Sequence, residues 1–256
     1  MQVAILSSGS KGNCTLVKTD STKILIDLGV TKNYAEEKLK ELNVDPSEIS
    51  AIFITHTHVD HIQGLKVFLK KYHPSVYVTE EIMEILDEYD LNANYVLYDS
   101  NKANVGDLNV SYIKISHDAK EAIGFIISDD KKSMVYITDT GYINNKYFDK
   151  LSNHDLYLLE SNHDVEMLMN GKYPYHLKKR ILGNKGHLSN DDAGYYLSEF
   201  IGSKTKTVIL AHLSDDNNTY DKAYDTVSNI LKSKNIKIKN ILIAKQKQRT
   251  ELIEVW

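Results

Sequence analysis

FITHTHVDHIQG, residues 53–64, places three histidines and an aspartate within six residues, directly after an apolar run. The run AIFIT (51–55) is rich in β-branched and aromatic residues, which favours a buried strand. The following IQGLKVFLKKY has apolar residues three and four positions apart, which favours a helix. The histidines therefore occupy a turn between a strand and a helix, where neither core packing nor an exposed turn requires them.

The spacing within this turn predicts metal binding. His56 and His58 are two positions apart, so in an extended segment their side chains face the same side, about 6.7 Å apart. Both imidazoles can then converge on one ion at about 2.1 Å. Asp60 and His61 follow as the chain turns, and they point in a different direction. Two ligand pairs with two orientations predict two adjacent ions.

Four other strand-like runs also end in a residue that can bind metal. These residues are His117, Asp139, Glu160 and His212. Residues just beyond the carboxyl ends of strands line the functional crevice of an α/β sheet. The sequence therefore predicts that histidine and carboxylate side chains meet at one sheet edge and form a dinuclear site.

Short β-rich runs alternate with helical stretches along the whole chain. The predicted strands are 2–7, 22–28, 51–55, 75–79, 110–116, 122–128, 133–138, 155–160, 206–211, 240–244 and 251–256. The predicted helices are approximately 33–42, 62–72, 80–89, 190–202 and 219–233. We see no internal repeat and no linker rich in Pro, Gly or Ser, so we predict a single α/β domain over residues 1–256.

Composition limits the environment and the partners. The net charge of −4 gives no overall attraction to nucleic acid, so a polyanionic substrate would depend on local basic patches or bound cations. Cys14 is the only cysteine, which excludes a cysteine-rich zinc framework and a disulfide-linked partner. The amino terminus does not resemble a signal peptide, and no apolar run approaches the ~18 residues of a membrane span. We expect a cytoplasmic protein without a membrane partner.

The turn sequence THTHVDH (55–61) resembles the HxHxDH signature of the metallo-β-lactamase fold family. The segments SHD (116–118), TDTG (138–141) and AHLS (211–214) are similar to the later motifs of that family and occur in the same order. The resemblance covers nearly the whole chain. It implies a four-layer αββα sandwich with a dinuclear metal site at one edge.

The same resemblance implies a complete set of metal ligands. The ligands of one ion are His56, His58 and His117. The ligands of the other ion are Asp60, His61 and His212. Asp139 bridges the two ions, and Asp27 in LIDLG (25–29) is similar to the aspartate that supports the histidine loop. Such ligation suits two divalent ions, Zn²⁺ or Mn²⁺, with Fe²⁺ as a further candidate.

Three shorter motifs narrow the resemblance to a subgroup. SSGSKGN (7–13), ESNHD (160–164) and GHLSNDDAG (186–194) together are similar to the compact bacterial YycJ/WalJ-type hydrolases. That subgroup implies a DNA exonuclease that works from 5′ ends of single-stranded or nicked DNA, with a suggested role in mismatch repair. The oligomeric state stays open.

Two segments are candidates for contact with a phosphate. The turn SSGSKGN presents backbone N–H groups, although it also has the composition of an ordinary turn. The basic run HLKKRILGNKGHLSN (176–190) precedes a helix amino terminus capped by Ser189 or Asn190, where an anion binds readily. A solvated basic face is the alternative for its lysines. The predicted substrate-binding residues are Ser10, Asn13, Lys178, Lys185 and Ser189.

The reaction that we expect is metal-assisted hydrolysis of a phosphodiester, in which the ions activate water. Asp60 and Asp139 would tune that water, and His187 or His163 would receive the leaving oxygen. Glu160 would support the metal ligands rather than bind metal. A hydrolase of a thioester, a lactone or a cyclic phosphodiester is the alternative on the same fold. A non-catalytic metal-binding protein would have no need for a complete ligand set.

Overall fold

The first of two β-sheets carries the histidine turn. This computed structural model describes residues 1–256. The strands of the first sheet are β1 Gln2–Ser7, β2 Cys14–Lys18, β3 Lys23–Ile26, β4 Ala51–Phe53, β5 Ser75–Val78, β6 Asn94–Leu97 and β14 Ile253–Glu254. Their spatial order is β14-β1-β2-β3-β4-β5-β6. The pairs from β3 to β6 are parallel and the others are antiparallel, so the sheet is mixed.

The second sheet is also mixed. Its strands are β7 Lys102–Val105, β8 Leu108–Lys114, β9 Ile123–Ser128, β10 Ser133–Ile137, β11 Leu156–Glu160, β12 Thr207–Ala211 and β13 Asn240–Ile243. Their spatial order is β13-β12-β11-β10-β9-β8-β7. Strands β10 to β13 run parallel, so their carboxyl ends meet at one edge.

Helices cover the outer faces of both sheets. They are α1 Lys32–Glu41, α2 Val59–Ile62, α3 Leu65–Tyr72, α4 Glu80–Asp87, α5 Phe148–Leu151, α6 Val165–Asn170, α7 Tyr175–Ile181, α8 Asn190–Phe200 and α9 Tyr220–Ser233. None of them combines the length and the apolar character that crossing a membrane requires. The predicted four-layer αββα sandwich is confirmed.

Two hydrophobic clusters hold the layers together. The inner cluster contains residues of both sheets, and the outer cluster lies between the second sheet and its helices. Alternate residues of β11 divide between them, since Leu158 belongs to the inner cluster and Tyr157 to the outer one. Phe53 of the first sheet and Phe125 of the second meet edge to face across the inner cluster, with ring centroids 5.8 Å apart. The outer cluster joins the second sheet to α5, α8 and α9 through side chains such as Phe200. The inner cluster thereby fixes the spacing between the two sheets.

The elements that sequence patterns missed are short or poorly buried. Strands β6 and β7 have few buried residues and lie at sheet edges, so they lack a clear apolar alternation. Strand β2 and helix α7 are also absent from the prediction. The helix predicted over 62–72 is α3, which begins at Leu65 after its N-cap Gly64, and the separate short helix α2 lies within the histidine turn and ends at Ile62. A Cβ atom at Gly64 would lie 2.1 Å from the Val30 carbonyl oxygen.

Three loops are joined by backbone hydrogen bonds around Gly29. The N–H of Gly29 donates to the Asn13 carbonyl, the N–H of Asn13 donates to Asp60, and the N–H of Leu28 donates to His61, each at 2.8 Å. A Cβ atom on Gly29 would lie 1.6 Å from the Asp60 carbonyl oxygen. The histidine turn can therefore lie against this loop only because residue 29 has no side chain.

We predict that Gly29→Ala lowers the free energy of unfolding by at least about 2 kcal/mol, because the backbones must separate. Gly183→Ala is the matched control, since a Cβ there comes no closer than 3.2 Å to a backbone oxygen. Urea denaturation followed by circular dichroism measures both variants. Equal midpoints for the two variants would show that the Gly29 contact is not required.

Candidate metal centre

The first group of candidate ligands consists of three histidines. One ring nitrogen from each of His56, His58 and His117 lies within 4.8 Å of the others. His58 Nδ1 lies 3.3 Å from His117 Nε2. His56 Nδ1 is 3.1 Å from the Thr55 hydroxyl, and its Nε2 is buried without a hydrogen-bond partner. Burial holds the pKa of His56 well below its usual range, so its ring is neutral and able to coordinate a cation.

A second group combines a carboxylate with two histidines. Ligand atoms of Asp60, His61 and His212 lie within 4.8 Å of one another. Asp60 Oδ2 is 3.7 Å from His61 Nε2 and 3.9 Å from His212 Nε2. Asp60 is partly exposed, whereas both histidines are buried. The group therefore lies at the boundary between the protein interior and solvent.

Asp139 lies between the two groups. Its Oδ2 is 3.3 Å from His61 Nε2, while its Oδ1 is 3.4 Å from His212 Nε2 and 4.0 Å from His117 Nε2. Burial opposes ionisation of this carboxyl, but His212 and His61 outweigh burial and hold the pKa of Asp139 well below its usual range. A carboxylate in this position is within reach of a cation in either group.

The residues present fit a metal cation. Three buried atoms of these groups, His56 Nε2, Asp139 Oδ2 and His212 Nε2, have no hydrogen-bond partner. Leaving a buried polar atom unpaired costs about 1–3 kcal/mol, so such atoms are rarely left together without a ligand. Imidazole nitrogens and carboxylate oxygens are the donors that Zn²⁺ and Mn²⁺ accept. The neutral His56 ring and the ionised Asp139 carboxylate are both in the protonation state that coordination needs.

Asp27 contacts His61 at Nδ1, the ring nitrogen that faces away from Asp139 and Asp60. His61 Nδ1 donates to Asp27 Oδ2 at 2.7 Å, which leaves Nε2 facing Asp139 and Asp60. The backbone N–H and the hydroxyl of Thr55 each donate to Asp27 at 2.8 Å. The carboxylate is fully buried, so its position is fixed by these bonds. This contact is the one expected of a residue that orients a ligand imidazole, and the supporting role of Asp27 stays a prediction.

Glu160 contacts two histidines at once. His187 Nδ1 and His212 Nδ1 donate to its Oε1 at 2.8 and 2.9 Å. The backbone N–H groups of Thr140 and Leu188 donate to its Oε2 at 3.0 and 3.1 Å. Glu160 also belongs to a group of possible ligands with Asp139, His187 and His212. Both of its oxygens are already engaged, and this favours orientation of His212 over metal binding.

A cavity of about 190 Å³ adjoins the second group through His212. Its lining residues include Ser10, Asp118, Tyr173, Arg180, Lys185, His187 and His212. Arg180 forms an ion pair with Asp118, whose Oδ1 lies 3.2 Å from His117 Nε2. Two cationic side chains, Arg180 and Lys185, therefore border a space that begins at the histidine groups.

The predicted substrate-binding residues do not all reach this cavity. Ser10 and Lys185 line it. Asn13 is buried, and its amide lies 3.0 Å from His61 Nε2 while its Oδ1 accepts from the Gly9 N–H. The Lys178 ammonium donates to the Met169 carbonyl outside the cavity.

Ser189 and His163 lie behind the cavity. Ser189 is the N-cap of α8, and its hydroxyl forms a capping box with Asp192 rather than facing solvent. His163 is buried, and neither ring nitrogen has a hydrogen-bond partner. Its backbone forms a bridge to Ser189. The structure therefore brings His187, and not His163, to the cavity lining.

Sequence patterns missed three residues of this cavity. Asp118 follows His117 directly, and Arg180 belongs to the basic run, but nothing in either motif shows that the two side chains meet. Tyr173 lies just before α7, a helix that apolar spacing did not predict. The signal that the sequence offered for Asp118 was its position directly after the predicted ligand His117.

Three residues of the site have a left-handed backbone. Asp27, Asp139 and His212 have φ values of 57°, 58° and 56°. Each follows the carboxyl end of a strand, namely β3, β10 and β12. Residues other than glycine adopt this conformation at an energetic cost, and such residues cluster at functional sites. The sharp turn directs each side chain toward the shared edge.

The fold and the site together define a metal-dependent hydrolase of the metallo-β-lactamase class. The family model described as "Beta-lactamase superfamily domain" matches residues 22–213, and the chain belongs to this family. The metallo-β-lactamase fold protein YhfI from Bacillus subtilis has a TM-score of 0.74 at 16% identity, covering 98% of this chain and 99% of that chain. A likeness at this identity shows the fold alone.

Two curated relatives match over nearly their whole length. Exodeoxyribonuclease YycJ of Bacillus anthracis is 34% identical over 238 residues, which cover 91% of this chain and 90% of the relative. Exodeoxyribonuclease WalJ of Streptococcus pneumoniae serotype 2 is 36% identical over 234 residues, with coverages of 89% and 87%. The resemblance to this subgroup is thereby confirmed.

We predict that Asp27→Asn weakens metal binding about 10–100-fold, because the amide no longer fixes the His61 tautomer. Asp155→Asn is the matched control: Asp155 is also buried and accepts from the Ser133 N–H, but it precedes β11 at the opposite end of the sheet. Competition with a chromophoric chelator measures Zn²⁺ affinity in both. Unchanged affinity in a folded Asp27→Asn protein would contradict the supporting role.

Proposed function

We propose that this protein is a metal-dependent phosphodiesterase that removes nucleotides from the 5′ end of DNA. The observation that carries the proposal is the opening of the histidine and carboxylate cluster into a cavity bordered by Arg180 and Lys185. A phosphodiester is an anion, so a site with a place for cations on one side and fixed cationic side chains on the other is complementary to it.

The residues that would hold two divalent ions form the groups already described. His56, His58 and His117 would bind one ion. Asp60, His61 and His212 would bind the other, and Asp139 would contact both. Such ions, Zn²⁺ or Mn²⁺ in this proposal, supply Lewis acidity that activates water and offsets the charge of a phosphate. The chain itself positions these ligands through Asp27 and Glu160.

Arg180 and Lys185 would bind the phosphate. The chain has a net charge of −4, so these local cations matter more than the overall charge. Arg180 offers a planar fork of donors that matches phosphate oxygens. Asp118 holds the guanidinium beside His117 and so fixes its position near the cluster. Ser10 adds a hydroxyl to the same lining.

His187 would transfer a proton to the leaving group in this proposal. Its Nδ1 is bonded to Glu160, which leaves Nε2 as the remaining polar atom of a ring that lines the cavity. Burial disfavours the charged form, but the Glu160 and Asp139 carboxylates outweigh burial and raise the pKa of His187. A protonated imidazole here would donate to the leaving oxygen and return to its neutral form.

The relatives supply the finer parts of the proposal. Two proteins named exodeoxyribonucleases match about nine-tenths of this chain, which favours DNA over other phosphodiesters. The 5′-to-3′ direction, the preference for single-stranded or nicked DNA, a role in mismatch repair and a cytoplasmic location come from the subgroup resemblance and the composition. Only the substrate class has support from the cavity itself.

A small-molecule hydrolase is the competing function. The cavity of about 190 Å³ is smaller than the ~300–1,000 Å³ of typical ligand pockets, so it could also hold a compact substrate such as a cyclic phosphodiester. The two functions differ in the size of the substrate, a nucleic acid strand in one and a small molecule in the other. Activity assays with DNA and with small-molecule substrates separate them.

We predict that purified protein carries about two divalent ions per chain. Asp139→Ala should lower the content of both, because this carboxylate lies between the two groups, whereas His58→Ala should lower mainly one. Elemental analysis after gel filtration measures the ratio of metal to protein. Wild-type metal content in Asp139→Ala would rule out the bridging role.

We predict that Mn²⁺-loaded protein releases a 5′ label early, as mononucleotides or very short pieces, while 3′-labelled DNA shortens progressively. Single-stranded and nicked oligonucleotides labelled at either end, resolved on denaturing gels, measure this. Asp60→Ala should be inactive. Intact DNA together with rapid hydrolysis of a thioester, a lactone or a cyclic phosphodiester would favour the competing function.

The two lysines of the basic run provide a matched pair for this assay. Lys185→Gln should raise KM because Lys185 lines the cavity, and Lys178→Gln should leave KM nearly unchanged because its ammonium bonds to the Met169 carbonyl. Both variants lose one positive charge, so an overall charge effect would act on both alike. Equal changes in KM for the two variants would show that substrate does not bind in the cavity.

A further inference from the structure

A second cationic cavity lies at the opposite end of the sandwich from the metal centre. It has a volume of about 550 Å³ and is lined by Thr205, Lys206, Lys237, Ile238, Lys239 and Trp256. Lys206 directly precedes β12 and His212 directly follows it. Lys206 and His212 are six residue steps apart along an extended strand, so this cavity is roughly 20 Å from the metal centre.

The local sequence explains why the lysines project together. In residues 236–239, Ile236 and Ile238 pack against the outer hydrophobic cluster, while Lys237 and Lys239 are exposed. The two lysines are therefore the exposed side chains of this segment, and Ile238 between them contributes an apolar surface to the cavity. The Asn240 N–H donates to the Lys206 carbonyl and brings the third lysine alongside.

These lysines are not neutralised by neighbouring acids. Some lysines of the chain pair with carboxylates, as Lys11 does with Asp215 and Lys23 with Glu48. Lys206, Lys237 and Lys239 form no ion pair, and the cavity lining contains no acidic residue. The Lys206 ammonium donates to the Ser203 carbonyl at 3.1 Å, so Lys237 and Lys239 are the freer cations of a cavity that lacks carboxylates, in a protein whose net charge is negative.

The cavity also contains the only tryptophan of the chain. Trp256 follows β14, the edge strand of the first sheet, and lines the cavity together with residues 237–239, which precede β13, the edge strand of the second sheet. Its side chain is 56% exposed, although a large apolar ring is usually covered. The Lys239 ammonium lies 5.7 Å from the ring centroid. An exposed indole beside cations presents a flat face on which an aromatic group can stack.

We propose that this cavity binds single-stranded nucleic acid, with a base stacked on Trp256 and phosphates contacting Lys206, Lys237 and Lys239. Proteins that bind single strands combine cations along the backbone with aromatic rings under the bases. An acidic polypeptide would satisfy the lysines but offers no ring for the indole. This site goes beyond the proposed function, because binding here requires neither metal nor hydrolysis.

The single tryptophan provides the readout. Metal-free wild-type protein in EDTA is titrated with an oligothymidylate of about eight nucleotides, and Trp256 fluorescence should be quenched on binding. The logarithm of affinity should fall with that of salt concentration with a slope of about −2, because each phosphate contact on a single strand contributes about −0.7. Polyglutamate of equal charge should neither quench the indole nor displace the oligonucleotide.

Charge-matched variants test the location. Lys237→Gln with Lys239→Gln should weaken binding at least about tenfold and reduce the salt slope to roughly −0.7. Lys40→Gln with Lys70→Gln removes two exposed lysines of α1 and α3, neither of which lines the cavity, and should bind like wild type. In an anisotropy assay with a dye-labelled oligonucleotide, Trp256→Ala should also bind about tenfold more weakly.

Three results would overturn the proposal: no quenching by the oligonucleotide, equal quenching or displacement by polyglutamate, or equal weakening in both double-lysine variants. The second of these would identify a site for an acidic polypeptide. None depends on catalysis, so a protein that hydrolyses no DNA but shows the expected quenching would contradict only the proposed function.

Discussion

Burial of the Asp139 carboxylate among histidines is the constraint on which the rest of the site depends. A carboxylate out of water stays ionised only when positive charge lies close to it; His61 and His212 hold the pKa of Asp139 low, and bound cations would supply that charge once these imidazoles coordinate in their neutral form. Each of these imidazoles is held from behind by a carboxylate, Asp27 or Glu160, and backbone N–H groups bind those carboxylates in turn. Acceptors and donors thus alternate outward from Asp139: the histidines contact Asp139, Asp27 and Glu160 contact the histidines, and backbone N–H groups contact Asp27 and Glu160.

This arrangement makes the site a product of both sheets. Asp27 and the histidine turn come from β3 and β4 of the first sheet, while Asp139, Glu160 and His212 come from three adjacent strands of the second. Their meeting depends on the spacing that the inner hydrophobic cluster imposes. The proposed chemistry therefore rests on apolar packing that touches none of the reacting groups.

Sequence patterns predicted most strands and helices and the groups at the strand ends, because both follow from local rules, whereas the four-layer arrangement came from the family resemblance. A strand that ends in His or Asp needs no tertiary information to be noticed, and parallel neighbours bring such ends together. The same local rules do not predict in which direction a side chain points. Lys178 and Arg180 are two positions apart on α7, yet only Arg180 reaches the cavity, and which one does so depends on how a seven-residue helix packs. Strands β6 and β7 were missed because exposed edges carry no apolar alternation.

The left-handed residues have an evolutionary consequence. Asp, Asn and His tolerate this backbone conformation better than most other side chains, and the three positions at issue carry Asp27, Asp139 and His212. Selection at these positions therefore acts on two properties at once, the ability to occupy the turn and the ability to coordinate or support a cation. A β-branched residue would not adopt the left-handed conformation readily, so it would be excluded whatever its ability to bind a cation. We therefore expect few residue types to be tolerated at these three positions, even in related proteins that act on other substrates.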